Sequence, residues 1–93
     1  MSDNIPVPAE ALRQVASSAT EEVSAARERG HKSTASSVER NLSEAYRALE
    51  GNDGEYVSVS ASALSTLTVA SDYSEVGDYR TCCRHYLEQY NYW

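Results

Sequence analysis

Arg80 and His85 are the residues in this chain best suited to chemistry. The stretch reads Arg80-Thr81-Cys82-Cys83-Arg84-His85. A histidine titrates near neutrality and can give or take a proton, while an arginine beside it can hold developing negative charge. In an ideal helix, residues five apart point about 140° away from each other, so the pair does not obviously converge on one atom. Metal binding is a second possible chemistry. Asp78, Cys82 and His85 fall at i, i+4 and i+7 on one helical face, and His31 could join them from elsewhere. Structural zinc takes four ligands, commonly in pairs spaced as CxxC, and the chain has no such pair. It also has no glycine-rich phosphate loop, nucleophile elbow or HExxH pattern. The expectation is no metal and no cofactor, with Cys82 and Cys83 acting as small hydrophobes.

The Arg80–His85 spacing, near the start of a last helix, resembles the motif of the HEPN ribonucleases. The resemblance implies a dimeric, metal-independent ribonuclease, with His85 near the attacked phosphate and Arg80 on its charge. The usual polar residue after the arginine is Thr81 here, and the chain is shorter than the family norm. Read without the resemblance, Arg84 pairs with Glu88 at i,i+4, and Arg80 and His85 sit in water. A second stretch, Val69-Ala70, Tyr73, Gly77-Asp78-Tyr79, Cys82 and Tyr86, resembles part of a tetratricopeptide repeat. That resemblance implies a helix–turn–helix over 56–92. It covers only the last third of the chain, and Gln89 stands where the family has a small residue.

The same segment is crowded with aromatic side chains: Tyr79, Tyr86, Tyr90, Tyr92 and Trp93. Tyrosine and tryptophan are strong interface anchors, having large area and few rotatable bonds. Tyr79 and Tyr86 are expected in the core. Tyr86 is also counted with Tyr90, Tyr92 and Trp93 as a candidate contact surface for a protein partner or for a second copy forming a homodimer.

The rest of the composition explains why aromatics matter here. Only fifteen of 93 residues are Val, Leu or Ile, and there is no Phe. That is below the roughly 20% at which charged chains start to look disordered. The core must use alanines and tyrosines. Net charge is −6, from 14 acids against 8 bases. Direct nucleic-acid binding is not expected, because like charge repels a phosphate backbone. A single lysine, Lys32, among the bases fits a high-GC or salt-adapted host. No apolar run approaches the roughly 18 residues of a membrane span, and the N-terminus does not read as a signal peptide. Adjacent cysteines make a structural disulfide improbable. A cytoplasmic protein that does not bind membranes is expected.

Four helices must position these residues. Residues 1–7 read as a flexible lead and 8–93 as a single helical domain. Pro8 suits the first position of a helix over 8–29, which Gly30 closes. Ala35, Val38, Leu42, Ala45 and Leu49 step by threes and fours along a second helix, 34–50, with Ser36 and Glu39 as its capping box. Residues 57–63 alternate apolar and small polar, a strand signal taken alone. No Gly, Pro, Asn or Asp interrupts 55–71, so 55–72 is read as a buried central helix, with strand as the alternative. Asp72 and Glu75 cap a fourth helix, 75–92, unless Gly77-Asp78 is its true start. Short connections make the fold all-α, with four antiparallel helices as two hairpins or an up-down bundle.

The leading expectation is a non-enzymatic protein-binding module: an adaptor, a regulator, or an acidic inhibitor that occupies a basic nucleic-acid-binding site on a partner enzyme. The alternative is the HEPN-like ribonuclease using Arg80 and His85.

Overall fold

The computed structural model describes residues 4–51 and 54–92. In chain order it contains β1 (Asn4–Pro8), α1 (Ala9–Glu28), α2 (Lys32–Glu50), β2 (Tyr56–Ser60), α3 (Ala61–Ala70) and α4 (Tyr73–Gln89). The described chain is about 76% helix, so the mostly helical reading holds. A small antiparallel sheet of β1 and β2 is added to it.

The sheet corrects two expectations. Residues 4–7 of the expected lead are strand, and the expected helix over 55–72 is strand to Ser60 and helix only from Ala61. Burial explains both. Ile5 pairs with Val59 and Val7 with Val57. All four are at most 2% exposed and cover one side of the core. Their β-branched side chains fit a pleated, half-buried surface. The residues between them, Asn4, Pro6, Tyr56 and Ser58, face outward.

The two prolines fit because of their register. Beyond the last strand pair, the Ala9 N–H donates to the Glu55 carbonyl at 2.8 Å. Hydrogen-bonded pairs alternate along an antiparallel ladder, so Val7–Val57 and Ile5–Val59 are also bonded pairs. Pro6 and Pro8 then turn their nitrogens to the outer edge of β1, where no N–H is needed. An edge that lacks the N–H at both Pro6 and Pro8 also resists pairing with another chain. On the other side, β2 is covered by α2. The Ser60 N–H donates to Glu44 Oε2 at 2.7 Å and the Ser60 hydroxyl to Oε1 at 3.0 Å. Ser60 Oγ in turn accepts from the Ala63 N–H, which starts α3. One serine therefore ends a strand and caps a helix, and Glu44 fixes it there.

α1 and α3 lie between α2 and α4. α1 buries Leu12, Val15, Ala16, Ala19 and Val23. α1 ends at Gly30, which has φ +84°, while the His31 N–H reaches back to the Ala26 carbonyl. α2 begins after His31 with no side-chain cap, so the expected capping box of Ser36 and Glu39 is not used. Asp72 does cap α4, accepting from the Ser74 N–H at 2.9 Å. α4 bends at Val76, whose φ of −127° is not helical, and so both expected starts of this helix leave a mark. Buried Ser18 of α1 accepts the Asp72 N–H at 2.8 Å and ties the α3–α4 turn to the core. No described helix is long and apolar enough to cross a membrane.

Candidate functional site

α4 carries Asp78, Arg80, Cys82 and His85 of the candidate chemistry, and its faces sort them. Val76, Cys83 and Leu87 are its buried residues. At ~100° per residue they form one narrow line toward the core. Tyr79, Cys82, Tyr86 and Tyr90 lie on one flank of that line. Tyr73, Arg80 and Arg84 lie on the other. His85 points to solvent.

The arginine flank is structural at its centre. Arg80 Nε donates to the Thr68 carbonyl of α3 at 2.7 Å. Its guanidinium lies 5.7 Å from the centroid of the Tyr73 ring, within cation–π range. The ring also lies over Gly77, where an added Cβ would meet it at an ordinary van der Waals distance of 3.6 Å. Arg80 thus closes the C-terminal end of α3 against α4. His85 is exposed, 3.2 Å from Gln89 and edge-on to Tyr86. Within one chain, the structure does not bring Arg80 and His85 together. Arg84 pairs with Glu88 at 3.0 Å, as the i,i+4 spacing implies.

Asp78, Cys82, His85 and His31 do not assemble either. Among the described residues, no group of three or more His, Cys, Asp or Glu is placed to hold a metal ion. Both cysteines are free. Burial pushes the Cys83 thiol up to about 12 and raises Cys82 as well, so neither is a ready thiolate.

The tyrosine flank is the feature that does gather. Tyr86 is half-buried and shares a hydrogen bond with Tyr56 of β2, which holds its phenol above the usual range. Tyr90 lies within electrostatic reach of the same phenol. Tyr56 is 53% exposed, and Tyr90 and Tyr92 are each 43% exposed. Tyr79 is also exposed, at 36%, against the expectation that it is core. Val76, Cys83 and Leu87 take the buried line instead, and at ~100° per residue Tyr79 falls about 40–60° to one side of Val76 and Cys83. The chain reverses at Asn91, with φ 63°, where the Tyr92 N–H bonds the Leu87 carbonyl. Trp93 lies outside the described residues. Sequence reasoning missed Tyr56. Its place beside Tyr86 depends on the strand at 56–60, and the alternation of 57–63 was the only signal for it.

Comparison with protein-family models, curated proteins and solved structures gave no match for this chain.

Proposed function

We propose that this chain is a non-enzymatic protein-binding module whose contact surface is the tyrosine flank of α4 with Tyr56 of β2. One observation carries the reading: Tyr86 is hydrogen-bonded to Tyr56 with Tyr90 within electrostatic reach of it, and Tyr56 and Tyr90 keep about half their surface in solvent. Tyrosines offer large rigid area at low entropic cost, and an exposed cluster of them suits a hot spot. Tyr92, just past the helix end, extends the surface. The net charge of −6 favours a basic partner, including the basic nucleic-acid-binding site of an enzyme. We also read the four helices as two antiparallel hairpins. The short links at 29–31 and 71–72 support that arrangement.

The test is capture of a partner by the wild type and by a Tyr56→Ala, Tyr90→Ala double variant. Partner affinity should fall by at least ~2 kcal/mol if these are anchors. Sedimentation of both proteins reports whether the partner is a second copy. A variant that keeps its helical spectrum and binds the same partner with unchanged affinity overturns the proposal.

A further inference from the structure

We propose that the groove between α2 and the outer edge of β2 binds a short peptide that carries both of its free termini. The groove has a volume of about 580 Å³, and its walls include Asn41, Glu44, Arg47 and Ala48 of α2 and Ser58 and Ser60 of β2. That size lies within the usual range of small-ligand sites.

The strand edge points to a peptide. Val57 and Val59 make the bonded pairs with β1, so Ser58 and Ser60 turn their N–H and C=O groups the other way. At Ser60 the place of a third strand is taken by Glu44, which accepts the N–H at 2.7 Å. The Ser58 N–H and C=O have no partner among the described residues and stand open at the groove. Such a pair can bond a peptide in strand fashion. Glu44 blocks the next rung, so an added strand must end there.

The order of charges points to free termini. Glu44 and Arg47 are the charged residues of the groove's described lining, and neither forms an ion pair with the other or with any described residue. The bonds to Glu44 come from the neutral donors of Ser60. Asn41 Nδ2 donates to the Ser37 carbonyl, which leaves its Oδ1 as a further acceptor. The β2–α3 segment runs back along α2, with Ser60 beside Glu44 and α3 reaching Ser33 and Thr34. Ser58 therefore falls on the Arg47 side. Acceptors gather at the Asn41–Glu44 end, and the donors Arg47 and Ser58 N–H at the other. A peptide antiparallel to β2 puts its ammonium at Glu44 and its carboxylate at Arg47. Asn41 and Arg47 are about 9 Å apart along the helix, which a peptide of about three residues spans. The site uses none of the tyrosine flank, and it stands or fails independently of the protein-binding proposal.

The experiment is an NMR titration of the full chain with trialanine at constant ionic strength, beside N-acetyl-trialanine and trialanine amide. Saturable shifts should centre on the Ser58 and Ser60 amides and the Arg47 Nε–H. Blocking either terminus should weaken binding at least about tenfold, the size expected for losing a charge-assisted contact. Arg47 is exposed and unpaired, so Arg47→Gln should keep the fold. It should erase the preference for trialanine over its amide and keep the preference over the acetylated form. Ser58→Pro removes the open N–H without touching the β1 ladder and should also weaken binding. Shifts that do not saturate or that scatter over the surface overturn the proposal. So do blocked peptides that bind as well as trialanine, or an Arg47→Gln protein that still prefers the free carboxylate.

Discussion

Replacing Ile5 with alanine tests whether the N-terminal strand belongs to the core. Ile5 is 0% exposed and pairs with Val59, itself 2% exposed. Truncation removes buried methyl and methylene groups and leaves a cavity against β2 and the helices beneath. Ile→Ala changes in packed cores cost about 2–5 kcal/mol. A domain of this size holds only about 5–15 kcal/mol in total, so the loss is a large fraction. At roughly 4–8 °C per kcal/mol, the lower bound already predicts a fall in Tm of about 8 °C or more. The control is its neighbour. Pro6 is exposed and turns its nitrogen to the outer edge, so Pro6→Ala should stay within about 0.5 kcal/mol. Urea denaturation followed by circular dichroism measures both. A flexible lead would make the two substitutions equally neutral. An Ile5→Ala loss below about 0.5 kcal/mol would refute the placement of β1 in the core.

Glu44→Ala removes the acceptor of the Ser60 N–H and hydroxyl, and denaturation should show a loss of about 1–3 kcal/mol. Glu75 has its carboxyl raised above the usual range, first by the charge of Glu21, with Asp72 and Glu22 adding to it. A raised carboxyl favours the fold while protonated and loses that contribution as pH rises through its folded value. Glu75→Gln should therefore raise Tm at neutral pH, with the gain shrinking in acid and in high salt; an unchanged Tm would count against the carboxylate cluster. For the wild type, the same self-repulsion predicts a higher Tm in concentrated NaCl than in dilute buffer, and a flat profile would remove that idea. Burial raises both thiols, so alkylation at neutral pH should run well below the rate of a free cysteine, with Cys83 slower than Cys82; equal rates in the folded protein would contradict their burial.

The long helices were legible because each carries its own period. Ala35, Val38, Leu42 and Ala45 are all buried, as their threes and fours imply, and Gly30 ends α1 with the positive φ that favours glycine. The sheet was harder to read because its evidence is non-local. Ile5-Pro6-Val7-Pro8 looks like a poor strand until a partner shows that both prolines face an outer edge. The alternation at 57–63 was correct for only four of its residues. It passes into α3 without a Gly, Pro, Asn or Asp to mark the change, because the signal that ends the strand is Glu44, sixteen residues upstream.

The same limit acts on the site. Steps of threes and fours put Val76, Tyr79, Cys83, Tyr86, Tyr90 and Trp93 in one stripe of the sequence, yet only part of a stripe that wide can be buried against α1, α3 and β1. The core took Val76, Cys83 and Leu87, the last of which lies outside the stripe. That small rotation moves the tyrosines to one flank and Arg80 to the other. It also decides what each can do. Tyr86 meets a phenol from β2, and Arg80 meets a carbonyl from α3. Neither partner is within helical reach in sequence. A spacing of five between Arg80 and His85 therefore says less about chemistry than the rotation of the helix that carries them. With the core line at Val76, Cys83 and Leu87, Arg80 is turned toward α3 and His85 toward water. A catalytic role for the pair within one chain would require α4 to rotate away from that core.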